Sequence, residues 1–358
     1  MNREELLDRI RHGEPVQDAD LSGAVFEEAR LPRRLQEARL KEAIFSACDM
    51  SDCDVRSADL QLATLHRVTI ERARFDGAKL IAVNFAECAA DGASFAGVEA
   101  PIASWAKTSL RGASFNGANL DRANFVEIDA HEATFLSANL EKALLYQADL
   151  RSADLSGANL TLTTLVEAKL GPKSFAGTRL HRTQFLRSDL AGASFAGVDC
   201  TECNFMAADL RGATFEGARG RQCFFGEAKL HEARFVNGDF TRAIFEKAEL
   251  IKADLSGATL EQAYFAEAFA PGARFSGAKL REANFSHADV TAADFSDAGL
   301  YRTRFHAVKR EGAVFPLLRV WLGDDEELAR IEAWRPRHGA ERTDEPPRHT
   351  EERERRRP

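Results

Sequence analysis

Nowhere in its 358 residues does the chain carry an apolar run long enough to span a membrane, and Met1-Asn2-Arg3-Glu4-Glu5 lacks the pattern of a signal peptide. A cytoplasmic protein without membrane attachment is the expectation. The formal net charge of −8 leaves no basic surplus for direct nucleic-acid binding. Histidines are few and scattered along the chain, and only one C-x-x-C pair occurs, Cys200-Thr201-Glu202-Cys203. Without a second such pair or a nearby His, a tetrahedral metal site is incomplete. No catalytic, cofactor-binding or metal residue can be assigned, and the chain reads as a non-enzyme.

What the chain has in abundance is a period of five. Every fifth residue from Leu35 to Phe315 keeps one register, and 50 of those 57 positions hold Leu, Phe, Ile, Val, Met or Trp. Two residues before each central position stands a small residue, nearly always Ala, as in Ala153-Asp154-Leu155 and Ala158-Asn159-Leu160. Five helical steps of about 100° would scatter such a stripe around the cylinder, so a helix is excluded. Residues five apart on a plain strand face opposite ways, so the chain must turn a corner within each repeat. The solution is a four-sided coil of about twenty residues, stacked at roughly 4.8 Å into a parallel β-solenoid of about 14–15 coils. A first segment from Ala19 to Leu31 lies one residue out of register, and Pro32 marks the slip.

Sorting central residues by side supports the square section. One side runs Phe75, Phe95, Phe115, Phe135 and onward, and the opposite side runs Phe85, Trp105, Phe125 and onward, while the two sides between are Leu-rich. Of the 22 Phe at central positions, 21 fall on that opposed pair of sides, and Phe240 is the exception. Gly recurs two residues after the Phe of the first side (Gly77, Gly97, Gly117), where a type II turn needs positive φ. All six Cys take inward positions and read as small core residues of a reducing compartment, Cys200, Cys203 and Cys223 included. Lys173 is the one charged residue at a small-residue position from Ala38 to Ala313, and it is expected to bulge out to solvent and kink the wall.

The ends differ. Residues 1–17 form an expected N-terminal helical cap, with Asn2 as N-cap and Leu6, Leu7 and Ile10 on one face. The repeat covers 18–316. Residues 317–334 lead from Leu317, Leu318, Val320, Trp321 and Leu322 into a helical stretch, expected to cap the last coil or to dimerise the protein. Residues 335–358 are Pro-rich, densely charged and expected to be disordered.

Copies such as Ala58-Asp59-Leu60, Ala118-Asn119-Leu120 and Ala253-Asp254-Leu255 resemble the pentapeptide-repeat family, whose motif is Ala-(Asp/Asn)-Leu-X-X. The resemblance implies a right-handed quadrilateral β-helix. It also implies one of two roles: an interaction scaffold or adaptor, in some members tied to secretion systems including type VI, or a DNA mimic that binds type II topoisomerase such as gyrase. The outward charges sum to about −5 on the Leu170 side, about −3 on the Phe175 side, about −1 on the Phe185 side and about +3 on the Leu180 side. That field is thin beside duplex DNA, which carries one charge per about 1.7 Å. The scaffold is therefore the preferred expectation, with a protein partner, and with a monomer or a dimer through the C-terminal element.

One outward strip fits such a role. On the Phe185 side, Val126, Tyr146, Val166, Leu186 and Met206 follow the central position on successive coils, and Phe224, Ile244 and Tyr264 precede it on the next ones. Stacked about 4.8 Å apart, these groups make an apolar band of the kind that marks a partner site.

Overall fold

The computed structural model describes residue 8, residues 20–318 and residues 320–333. The N-terminal cap expected over 1–17 and the tail expected over 335–358 lie outside the described residues, save for Asp8.

Four parallel ladders run along the chain, one for each wall. Ser94 pairs with Ser114, Glu99 with Asn119, Ser104 with Asn124 and Ser109 with Asp129, each twenty residues on. On the wall that bears the strip, eight strands of three residues pair in chain order. They are β1 (Val25–Glu27), β2 (Ile44–Ser46), β3 (Thr64–His66), β4 (Asn84–Ala86), β5 (Ser104–Ala106), β6 (Asn124–Val126), β7 (Leu144–Tyr146) and β8 (Thr164–Val166). Bridges of the same spacing carry this ladder to Arg304, and the solenoid amounts to about 14 coils between Phe26 and Phe305. In the first coil Val25 pairs with Ile44, nineteen residues on, whereas Arg34 pairs with Asp54, twenty on. The slip falls across Pro32.

Positive φ is not confined to the glycine side. Nearly every residue two after a central position adopts it, on all four walls, as at Glu42 (φ 58), Arg182 (φ 57) and Glu232 (φ 57), with Gly77 (φ 65) among them. The left-handed region costs a non-Gly residue about 1–2 kcal/mol, and regular pairing offsets that cost. Gly77 N–H donates to Ala96 O at 2.9 Å and Glu42 N–H to Gln61 O at 2.8 Å, so each corner is stitched to the corner above. Most corners are also closed as β-turns, as where Ala78 N–H donates to Phe75 O at 2.8 Å.

The bore is filled. Ala, Cys or Val and the central Leu or Phe are buried coil after coil in one continuous core. Aromatic rings stack within each column, as Phe95 on Phe115 (4.8 Å, 8°) and Trp105 on Phe125 (4.8 Å, 6°). Across the bore the two columns meet edge to face, as Phe115 with Phe125 (5.9 Å, 89°). Both geometries suit the ring quadrupole. Most inward hydroxyls are satisfied by a recurring bond to a carbonyl on the coil below, as where Thr163 Oγ1 donates to Leu140 O at 2.7 Å and Thr303 Oγ1 to Leu280 O at 2.7 Å, while Thr178 Oγ1 donates to Phe175 O of its own coil at 2.6 Å.

Lys173 departs from expectation. It stays buried, and its Nζ donates to Ala153 O on the coil below. The wall does deform there. Pro172 cannot take the positive φ that its position calls for, because its ring holds φ near −65°, so the left-handed residue moves to Gly171 (φ 62). The ladder step expected between Asp154 and Ser174 is missing among the described residues, and the ammonium takes the carbonyl so released. Burial pushes the Lys173 ammonium down to about 8, with the Asp154 carboxylate pulling the other way.

Beyond the repeat, residues 320–322 are extended rather than helical. Phe305 N–H donates to Leu322 O at 2.8 Å and Leu322 N–H to Thr303 O at 2.8 Å, which adds one more edge segment to the strip wall. Trp321 stacks on Phe315 at 5.1 Å and so covers part of the last coil. Asp324 begins a separate small unit, whose described residues include the helix α1 (Glu326–Ala333). Asp325 caps it, its Oδ1 accepting from the backbone of Glu327 and Leu328 at 3.0 Å each. No described helix is long and apolar enough to cross a membrane.

Candidate functional site

The pairing register brings the eight strip residues together. Val126 pairs with Tyr146 and Tyr146 with Val166 between β6, β7 and β8, and Arg187 N–H donates to Met206 O at 3.0 Å farther along the same wall. In the neighbouring column Phe224 pairs with Ile244 and Ile244 with Tyr264. Met206 and Tyr264 are exposed, and the other six are half-buried.

The sequence leaves a jog where the strip changes columns, and Gly226 removes it. This glycine is buried, and a Cβ placed on it would lie 2.8 Å from Cζ of Phe224. The Phe224 ring therefore folds back over Gly226, into the column that Met206 occupies one coil below. The band is continuous across the change of column, from Val126 to Tyr264. Sequence reasoning missed Gly226 as the residue that makes room. It also missed Leu144, half-buried two residues before Tyr146 in β7 and in the column that Phe224 later occupies.

Ion pairs and amide bonds line the edges of the strip. Along one corner Gln147 donates to Glu167 at 2.8 Å and Arg187 pairs with Glu167 at 3.1 Å. These two contacts, the Gln147 bond foremost, hold the Glu167 carboxyl below its ordinary range. Along the other corner Arg182 pairs with Glu202 at 2.6 Å and lowers the Glu202 carboxyl likewise. An apolar centre with a polar rim is the usual anatomy of a protein interface. Such exposed pairs contribute little to stability.

The thiol cluster belongs to the core. Cys203 Sγ donates to Leu180 O at 2.7 Å and Cys223 Sγ to Cys200 O at 2.9 Å, while the Cys200 and Cys223 sulfurs lie 4.0 Å apart, well beyond a bond. Burial raises the Cys203 and Cys223 thiols above the ordinary thiol range.

A pentapeptide-repeat family model matches residues 34–72, 108–145, 131–165, 143–171, 183–219, 223–262 and 260–297, in eight copies. The chain belongs to the pentapeptide-repeat family. Among solved structures it is similar to HetL of the cyanobacterium Nostoc sp. strain PCC 7120, a pentapeptide repeat protein involved in heterocyst differentiation regulation. The identity is 22% over 85% of this chain and 96% of HetL, at a TM-score of 0.20. Trypsin-treated QnrB1, a plasmid-mediated fluoroquinolone resistance protein, is 18% identical over 55% of this chain and 82% of its own, at a TM-score of 0.20. Rfr23 from the cyanobacterium Cyanothece 51142 is 18% identical over 50% of this chain and 99% of its own, at a TM-score of 0.16. Comparison with curated protein sequences found no match.

Proposed function

We propose that this pentapeptide-repeat protein is a non-enzymatic bacterial interaction scaffold that docks a protein partner on the Val126 to Tyr264 strip. The continuity of that strip through Phe224 and Gly226 carries the reading. With the bore filled by side chains, the outer skin is the part of the solenoid open to a partner. A stiff, stitched wall loses little conformational entropy when a partner lands on it. By family analogy the setting is cytoplasmic and tied to a secretion system, type VI included. The pairing of surface arginines with carboxylates, as in Arg211–Asp209 and Arg234–Glu216, breaks up the acidic field that a DNA mimic would need, which favours the scaffold over binding to type II topoisomerase.

Two measurements test this. Pull-downs with the wild type and with the double variant Leu186→Glu/Met206→Glu should share a background but differ in the specific partner, which only the wild type retains. Identical recovery would remove the strip from consideration. A supercoiling assay with a bacterial type II topoisomerase should be unaffected by the protein. Inhibition at near-stoichiometric amounts would favour mimicry instead.

A further inference from the structure

The upper half of the strip borders a groove that the apolar band alone does not explain. A concavity of about 450 Å³ runs along the corner beside Phe224 and Ile244, and a second of about 420 Å³ continues it past Tyr264, the two sharing Gln262 and Glu282. Five arginines line this groove against two glutamates, Glu261 and Glu282, in a chain whose net charge is −8. Two of the five are engaged with carboxylates: Arg221 pairs with Asp239 at 2.9 Å, and Arg281 reaches Glu282 at 3.5 Å. Arg242 spends its Nε on the neutral amide of Gln262 at 2.8 Å. Arg302 and Arg304 are exposed and form no ion pair among the described residues.

From this juxtaposition of Phe224, Ile244 and Tyr264 with Arg242, Arg302 and Arg304, we propose that the strip accepts an acidic, apolar-studded segment of the partner, laid along the groove. The inference rests on the docking reading above and supplies its chemistry. Apolar side chains of the segment seat on the apolar column of Phe224, Ile244 and Tyr264, while its carboxylates meet guanidinium groups that form no ion pair among the described residues. From Arg221 to Arg302 the groove crosses four coil steps, roughly 20 Å at the strand spacing, which an extended segment of about six residues spans.

The test is fluorescence anisotropy on the full-length protein with a short labelled peptide of alternating aspartate and leucine. The expected result is binding that weakens about tenfold or more in Arg302→Glu/Arg304→Glu and falls with added salt. The counterpart with lysine in place of aspartate should not bind, and the one with serine in place of leucine should bind less. Equal affinity for the lysine peptide, or no effect of the arginine double variant, would overturn the proposal. So would tighter binding of an oligothymidylate of the same charge, which would make the groove a site for phosphate backbones. Leu136→Glu, on the opposite wall, should leave peptide affinity unchanged, whereas Leu186→Glu/Met206→Glu is read by partner recovery alone. Partner recovery lost in that variant but kept in Arg302→Glu/Arg304→Glu would defeat the acidic segment and leave the docking reading standing.

Discussion

The ring of Phe240 occupies the space that Gly220 leaves one coil below it. A methyl group added at Gly220 would fall within the ring, and one added at Gly238, two residues before Phe240, would lie 2.5 Å from ring Cε2. The one central-position Phe outside the two aromatic columns is thus explained by two glycines at positions that normally hold Leu and Ala. The ring turns its edge to Phe235 at 4.9 Å and joins the aromatic core from a Leu-rich wall. Gly220→Ala is expected to cost about 1–3 kcal/mol by overpacking. Adding Phe240→Leu should recover much of that loss, with a coupling of at least about 1 kcal/mol in a double-mutant cycle read by chemical denaturation. Additive losses would mean that the two residues do not share the space.

Lys173 gives the wall a pH dependence of definite sign. Its folded pKa of about 8 lies below the unfolded value of about 10.4, so between those limits the unfolded chain binds more protons. Stability therefore rises with pH across that window, by roughly 3 kcal/mol in total, and its contribution is flat below pH 8, where both states are charged. Lys173→Met should be more stable than the wild type at pH 7, and the gap should close towards pH 10.5. Denaturant midpoints of the two proteins across that range provide the check. A gap that stays constant with pH would show that the ammonium is solvated.

The cysteines should be silent in the folded protein. All six are buried, and burial pushes the Cys53 thiol up to about 12 and the Cys88 thiol to about 11. A thiol reagent at pH 8 is expected to label none of them under native conditions and all six after unfolding. Rapid native labelling at Cys200 or Cys223 would point to an opening in the wall that faces Gly220.

Much of this fold is written in the period itself, because a corner every five residues admits few stacked solutions. The column assignments, the Pro32 slip and the inward cysteines follow from counting alone. The burial of Lys173 is not legible from counting, because a buried ammonium is costly only where no acceptor is near, and the Pro172 corner frees the Ala153 carbonyl. Residues 320–322 resemble a helix entrance by composition, yet the open edge at Thr303 and Phe305 offers backbone partners that an isolated helix turn lacks. The strip columns were legible from the register, but its continuity was not. That depends on the direction in which the Phe224 ring turns, and hence on the missing side chain of Gly226. The arginine groove is not legible in the sequence because its residues come from several coils, and pairing with Asp239 or Glu282 cannot be read from residue type.

The central claim is that one wall is the working surface, and site-specific photocrosslinking tests it most directly. A photoreactive phenylalanine analogue would be placed at Met206 on the strip and, as a control, at Leu136, which is 38% exposed on the opposite wall. In cells, the account predicts a discrete crosslinked partner from position 206 and none from position 136. Crosslinks of equal yield from both walls, or from 136 alone, would contradict it.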